Sequence, residues 1–424
     1  MLIYQLFLWV YSGGIHLAAL FNKKAKRWVV GRKNWLDELT RQISQLDAEK
    51  RRNLVWMHCS SLGEFEQGRP VLESIRKSTP DCAIVLSFFS PSGYENCKNF
   101  CGADWVFYLP VDSASNARKL LSALNPKLVL WVKYEYWFFY LKAIRSREIP
   151  LLMLSGLLRS DQPFFRWYGA PWRSALSCFT HFFAQDTETL KLIRSLPNPP
   201  DTSFGGDTRF DRVLEIAGNP LPLSEIAAFC ADDLVLIAGS TWREDEKILR
   251  QIATKFSSIR LVIAPHEVHE QRIAEIESLF PDSIRHSQLS MLTETSNTSN
   301  CSSVLIIDNI GKLSSVYRFA TVAYVGGGFN SGGIHNVLEA AVYGCPVFFG
   351  PNYDKFIEAV RLKETGAGIP VHNSGEMERI LTLLLNDSNR LMNLGMTARR
   401  FVADQAGATR SVSDFIQENR LLIK

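Results

Sequence analysis

"VGGGFNSGGIHNVLEAAVYGCPVFFGP", residues 325–351, runs from an apolar strand through Gly326–Gly328 and Gly332–Gly333 into a helix opening near Asn336, then returns through a second apolar run. Glycines let a backbone approach a ligand closely, and the N–H groups at a helix start favour an anion such as phosphate. The stretch lacks G-K-[ST], so it is no Walker loop, and it lies far from the N-terminal position of a dinucleotide fingerprint. Glu339, three residues after Asn336, fits either a cap of that helix or an acceptor for ribose hydroxyls.

The same rhythm extends in both directions. "DLVLIAGST" (233–241), "IRLVIAPH" (259–266) and "SVLIIDN" (303–309) precede it. "LVWMHCS" (54–60), "CAIVLSFFS" (82–90), "WVFYLP" (105–110), "KLVLWVK" (127–133), "IPLLMLSG" (149–156) and "HFFAQD" (181–186) form an earlier series. Continuous apolar runs separated by helix-length segments indicate parallel sheets covered on both faces. Gly218, Pro220 and Pro222 break the rhythm, so 215–232 is expected to join a first domain (22–214) to a second (233–424). The last helical stretch, about 407–424, is a candidate to pack back on the first domain. Residues 287–302, rich in Ser, Thr and Asn, read as a surface loop. The expected architecture is α/β, two doubly wound domains with a cleft, and ligands bind beyond the C-terminal strand ends.

Composition narrows the function. A net charge of +4 over 424 residues is small, which argues against a polycation that binds nucleic acid. Eight scattered cysteines with no C-x-x-C pair read as reduced thiols of a cytoplasmic compartment. Residues 1–21, "MLIYQLFLWVYSGGIHLAALF", contain no Asp, Glu, Lys or Arg, and Lys23, Lys24, Lys26 and Arg27 follow. As a helix this segment is roughly 31 Å long. It is expected to be a membrane anchor or a helix lying in the interface, with the rest of the chain in the cytoplasm.

Several residues carry candidate chemistry. Ser61-Leu-Gly-Glu64 fits a capping box, and Glu64 also suits a base just after a strand. Glu135 follows the strand "KLVLWV", and Arg209 lies in "GGDTRFD", where pairing with Asp207 or Asp211 is the structural alternative. Gly239-Ser240-Thr241 and Gly311-Lys312 are two more turns after strands, suited to a nucleotide. "HEVHE" (266–270) has its histidines three apart, not the four of H-E-x-x-H, so no metal is expected there.

Taken together, the apolar N-terminus, "HCSSLGEF", "YEYW", "FFAQD", "GDTRFD", "GSTWREDE", "IAPH", "DNIGKL" and "GGIHNVLEAA" resemble the Kdo transferase family of Gram-negative bacteria. These inner-membrane enzymes move 3-deoxy-D-manno-oct-2-ulosonic acid (Kdo) from CMP-Kdo to a lipid A precursor, lipid IVA. The resemblance implies a GT-B glycosyltransferase, two Rossmann-like domains facing a cleft, with an N-terminal membrane-associated helix. It implies an inverting reaction with Glu64 as general base and with Glu135 and Arg209 stabilising the transition state. CMP would be held by Pro265, His266, Ile310, Gly311, Lys312, Asn336, Val337, Leu338 and Glu339. The chain has no D-x-D, so a reaction without metal or cofactor is implied, on the cytoplasmic side of the inner membrane, with membrane lipid as a partner.

The chain departs from the family pattern in three places. Lys133 stands where E-x-E-x-W-P begins with an acid, Arg209 replaces a lysine, and Pro265-His266-Glu267 replaces P-R-H. "LLRSDQPFFRWYGAPWR" (157–173) mixes arginines with aromatics and fits either a lipid-facing surface or a packed helix pair. The alternatives are another GT-B transferase with a different sugar nucleotide, a sugar-nucleotide epimerase, or an inactive nucleotide-binding module.

Overall fold

The apolar runs are strands with both faces covered. The computed structural model describes residues 2–231, 233–289 and 302–422. Its first sheet contains β1 (Val55–Cys59), β2 (Ile84–Phe88), β3 (Trp105–Tyr108), β4 (Leu128–Val132), β5 (Leu151–Gly156), β6 (His181–Ala184) and β7 (Thr202–Phe204). They are parallel and run in the order β3-β2-β1-β4-β5-β6-β7. Side chains alternate between the two faces. Trp56 and Trp131 therefore join one core, and Val55, Met57 and Val132 join the core on the opposite face.

The second sheet contains β8 (Leu234–Thr241), β9 (Ile259–Pro265), β10 (Ile284–Arg285), β11 (Val304–Ile306), β12 (Val322–Val325), β13 (Val347–Phe349) and β14 (Gly368–Pro370). Its order is β10-β11-β9-β8-β12-β13-β14, again parallel throughout. Three strands missing from the sequence reading, β7, β10 and β14, are short and lie at sheet edges, where few side chains are buried.

The chain divides into two compact units between Arg212 and Val213, inside the helix Thr208–Gly218. Residues from Ala406 onward belong to the first unit. The stretch 215–232, expected as a connection, holds the end of that helix, a turn and the helix Ser224–Cys230. In the first unit the helix Ala408–Glu418 packs on the helix Leu62–Ser78 and adds Val412 and Ile416 to the core on that face of the sheet. Asp211 secures its start by accepting the N–H of Gly407 at 2.6 Å and of Thr409 at 2.7 Å. Most of the expected Ser/Thr/Asn loop lies outside the described residues.

The N-terminal helix is Leu2–Ala18, 17 residues, with a turn following. At 1.5 Å per residue it is roughly 26 Å long, short of a bilayer core of about 30 Å. Among the described residues no helix is long and apolar enough to cross a membrane. Ile3, Leu6, Phe7, Trp9, Val10 and Leu17 are exposed along it. Tyr4 ties the helix to the first unit, donating its hydroxyl to Asp112 at 2.7 Å and packing its ring against Phe138.

Candidate active site

In the first sheet the strand order reverses between β1 and β4, and ligands bind at the C-terminal ends of strands flanking such a reversal. Both predicted carboxylates are there. Glu64 sits in the first turn of the helix Leu62–Ser78, which follows β1, and Glu135 sits in the turn after β4. Glu64 is 8 % exposed. Burial, then the charge of Glu135, push its pKa up to about 8, against the opposing pull of the Ser60 N–H, Lys133 and the Ser61 N–H. The capping box is half formed, because Glu64 accepts the N–H of the cap residue Ser61, along with that of Ser60, while the Ser61 side chain makes no cap bond. Burial also raises Glu135, which the Ser60 hydroxyl opposes by donating to its carboxylate.

Arg209 is committed to Asp207. Its Nη2 and Nε donate to Asp207 Oδ2 at 2.7 and 3.0 Å, and its backbone N–H donates to Oδ1 at 3.0 Å. Gln67 and Gln185 donate to the same buried carboxylate at 3.1 and 2.9 Å. Burial alone would raise Asp207, but Arg209 outweighs it and holds the group below the usual range. Asp211, the other partner considered, is taken by the C-terminal helix. Tyr134 lies within the electrostatic reach of Arg159, Arg209, Glu64 and Asp207, so one patch of the first unit gathers all of these groups.

The aromatic stretch 157–173 divides between the two roles expected of it. Phe164 is in the core, and Arg173 donates to the carbonyls of Phe164 and Arg166 at 2.9 and 3.1 Å, which makes it structural. Trp167 is 92 % exposed.

In the second sheet the order reverses between β8 and β12. Pro265 ends β9, and the His266 N–H donates to Thr241 O at 3.0 Å. The exposed His266 ring lies between Trp242 and His335, with centroids at 4.7 and 4.4 Å. Trp242 Nε1–H donates to His335 Nε2 at 3.1 Å, and burial followed by the neighbouring His266 lowers His335 to about 4. Ile310 is 84 % exposed, Gly311 has φ +91°, and Lys312 Nζ lies 3.4 Å from His286 Nδ1. Asn336 donates to Glu339 Oε1 at 3.2 Å and accepts the Leu338 N–H at 3.1 Å. Val337 and Leu338 are fully buried, so any ligand contact they make is through the backbone.

The glycine run also meets a packing need inside the second unit. The Gly327 N–H donates to Asp245 Oδ2 at 2.9 Å, and the Trp242 N–H shares that oxygen. A Cβ on Gly328 would lie 2.6 Å from Gly350 Cα. The glycines thus let two loops touch, and the Gly327 donor already has an internal carboxylate. The helix they open, Leu338–Ala341, is only four residues long.

Among the described residues no three His, Cys, Asp or Glu side chains gather into a metal-binding group. In "HEVHE", His269 caps the helix Glu270–Leu279 instead. Sequence reasoning named Asp207 as a possible partner of Arg209, and the structure pairs them; it missed Ser60 and the partnership of Trp242 with His335, which leave no sequence signal.

Residues 34–212 match the family model described as 3-deoxy-D-manno-octulosonic-acid transferase (kdotransferase). A 3-deoxy-D-manno-octulosonic acid transferase of Rickettsia felis is 25 % identical over 82 % of this chain and 74 % of its own length. One of Haemophilus influenzae is 24 % identical over 86 % of each chain. Among solved structures, the UDP-GlcNAc 2-epimerase of Neisseria meningitidis bound to UDP-GlcNAc superposes with a TM-score of 0.59 at 16 % identity, over 86 % of this chain and all of that one. This last likeness shows the fold alone, the α/β architecture that GT-B glycosyltransferases and such epimerases share.

Proposed function

Because this chain is a relative of the Kdo transferases, we propose that it is an inverting glycosyltransferase that moves Kdo from CMP-Kdo to a lipid A precursor such as lipid IVA. A hydroxyl oxygen of the acceptor attacks the anomeric carbon of Kdo as the bond to CMP breaks. The hydroxyl proton passes to the Glu64 carboxylate, and the phosphate of CMP leaves with the bonding electron pair. The observation that carries this reading is a buried glutamate at the strand reversal, raised to about 8 and so close to the working pH, where a general base is most effective.

The second unit binds the donor in this reading. Gly311 and Lys312 offer an open turn, and His266, Asn336 and Glu339 present polar groups at the same sheet edge. No metal takes part. The N-terminal helix, with its exposed apolar residues and the lysines after it, lies in the interface on the cytoplasmic face of the inner membrane.

The test is mass spectrometry of lipid IVA incubated with CMP-Kdo and protein, wild type beside Glu64→Gln. The reading requires a mass gain corresponding to Kdo with wild type and none with the folded variant. No gain with wild type, while CMP-Kdo stays intact, means that the donor or acceptor is wrong. Conversion of UDP-GlcNAc to its C2 epimer, with no lipid product, would favour epimerase chemistry.

A further inference from the structure

We propose that the cleft beside the N-terminal helix holds a fatty acyl chain of the acceptor lipid and so leads the acceptor's sugar towards Glu64. The inference rests on the reading of the acceptor as a lipid A precursor.

The cleft measures about 380 Å³ and lies within the first unit. Small-ligand sites span roughly 300–1,000 Å³. Tyr11, Ile15 and Ala18 form one stripe of its lining, at helical spacing on Leu2–Ala18, and Trp28 and Phe89 add two aromatic rings. Arg32 fixes these two residues. Its guanidinium donates to Trp28 O at 3.0 Å and to Phe89 O at 2.7 Å, and it lies 3.9 Å from the centre of the Trp28 ring. The aromatic lining is therefore set before a ligand arrives, which lowers the cost of binding.

An acyl chain suits this lining for three reasons. The stripe belongs to the helix that exposes Leu6, Phe7, Val10 and Leu17, so apolar surface continues from the cleft to the face that meets lipid. Past the end of that helix Lys24 lines the cleft, with Lys23, Lys26 and Arg27 exposed beside it, and these cations match an anionic lipid headgroup. Trp28 is 4 % exposed, yet its indole N–H has no acceptor. A buried donor left unpaired is costly, and the ester or amide oxygen at the head of an acyl chain supplies the missing partner.

The cleft also reaches the proposed base. Ser90, part of its lining, donates its N–H to Ser60 O at 2.8 Å, and Ser60 in turn donates its own N–H to Glu64. The Phe89 ring lies 4.6 Å from that of Trp137, two residues after Glu135. This continuity favours a chain of the acceptor over that of a bilayer phospholipid.

Lipid IVA carrying a diazirine on an acyl chain is photolysed with the full chain in detergent micelles, and the labelled peptides are mapped. Label is expected within 11–28 and around Phe89, and an excess of phosphatidylglycerol should not displace it. Label elsewhere, or label lost to phosphatidylglycerol, overturns the proposal. Ala18→Trp fills the cleft from an exposed helix position and so keeps the fold. Its kcat/KM for lipid IVA, divided by that for the fully deacylated acceptor, should fall roughly tenfold from the wild-type ratio. An unchanged ratio in the folded variant overturns the proposal. If wild type transfers no Kdo, the functional reading fails separately, and the labelling still decides whether the cleft holds the chain.

Discussion

Glu64 and Glu135 are bound to the same residue: Ser60 gives its backbone N–H to the first carboxylate and its hydroxyl to the second. One serine thus fixes both acids at the reversal between β1 and β4. Burial first and then the charge of Glu135 make Glu64 harder to ionise, so the neighbouring acid sets part of how the site responds to pH.

Glu135→Gln should move the acid limb of the transfer rate to lower pH. Glu135 raises Glu64 by its negative charge, so neutralising it lets Glu64 ionise earlier. A shift of half a unit to one unit is expected in kcat/KM against pH. In the proposed reaction Glu135 also stabilises the transition state, so the plateau should fall as the limb moves. A limb that stays in place means that the two carboxylates do not communicate.

Glu64→Gln should make the protein more stable at pH 8 while it abolishes transfer. In the folded state Glu64 holds its proton up to about 8, whereas the unfolded chain releases it near 4.5. Between those values the unfolded state binds fewer protons, so stability falls as pH rises through that window. The amide avoids this cost. The expected gain is roughly 1–3 kcal/mol at pH 8 and little below pH 5, read from urea unfolding at both pH values.

Arg209→Met is expected to lose fold as well as activity. It leaves Asp207 buried with two glutamine amides but no guanidinium, and breaking a buried pair from one side costs about 3–5 kcal/mol. Arg209→Lys keeps the charge with fewer bonds and should lie between. Denaturant midpoints measured beside turnover separate the two losses. A Met variant as stable as wild type would show that the pairing with Asp207 matters little to the fold.

Much of this was legible because parallel strands buried on both faces leave continuous apolar runs. "KLVLWVK" contains β4, and "LVWMHCS" contains β1. The carboxylates that follow those runs then fall at the sheet's binding edge by topology alone. What sequence concealed was tertiary. No local pattern links Ser60 to Glu135 or Tyr4 to Asp112 across the chain. The division inside Thr208–Gly218 leaves no mark either, since a helix shared by two units has one unbroken pattern. The packing share of the glycine run was not legible either, because close loop packing and ligand approach ask for the same residue.

Tyr4→Phe should loosen the N-terminal helix while the rest of the first unit stays folded. Tyr4 donates to Asp112, whose carboxylate also accepts the N–H groups of Phe139 and Tyr140 at 3.0 Å each. Losing one hydrogen bond to a charged group costs about 1.5–3 kcal/mol. Local opening then becomes more frequent, and trypsin should cut at Lys23–Arg27 roughly tenfold faster. The melting temperature of the remainder should barely move. Equal cutting rates would show that Phe138 packing alone holds the helix.

Asp211→Ala should release the C-terminal helix. Asp211 holds the N–H groups of Gly407 and Thr409, and the alanine leaves two donors at the start of Ala408–Glu418 without that partner. Loss of a cap costs about 0.5–2 kcal/mol. Val412 and Ile416 add burial in the core of the first unit, so the helix should fray without detaching. Hydrogen exchange over 408–418 should therefore quicken in Asp211→Ala. Deletion from Ala406 onward should be far worse, because it removes Val412 and Ile416 from the core and uncovers the helix Leu62–Ser78 on which they pack. A deletion variant that melts like wild type would mean that the first unit completes its core without the returning chain.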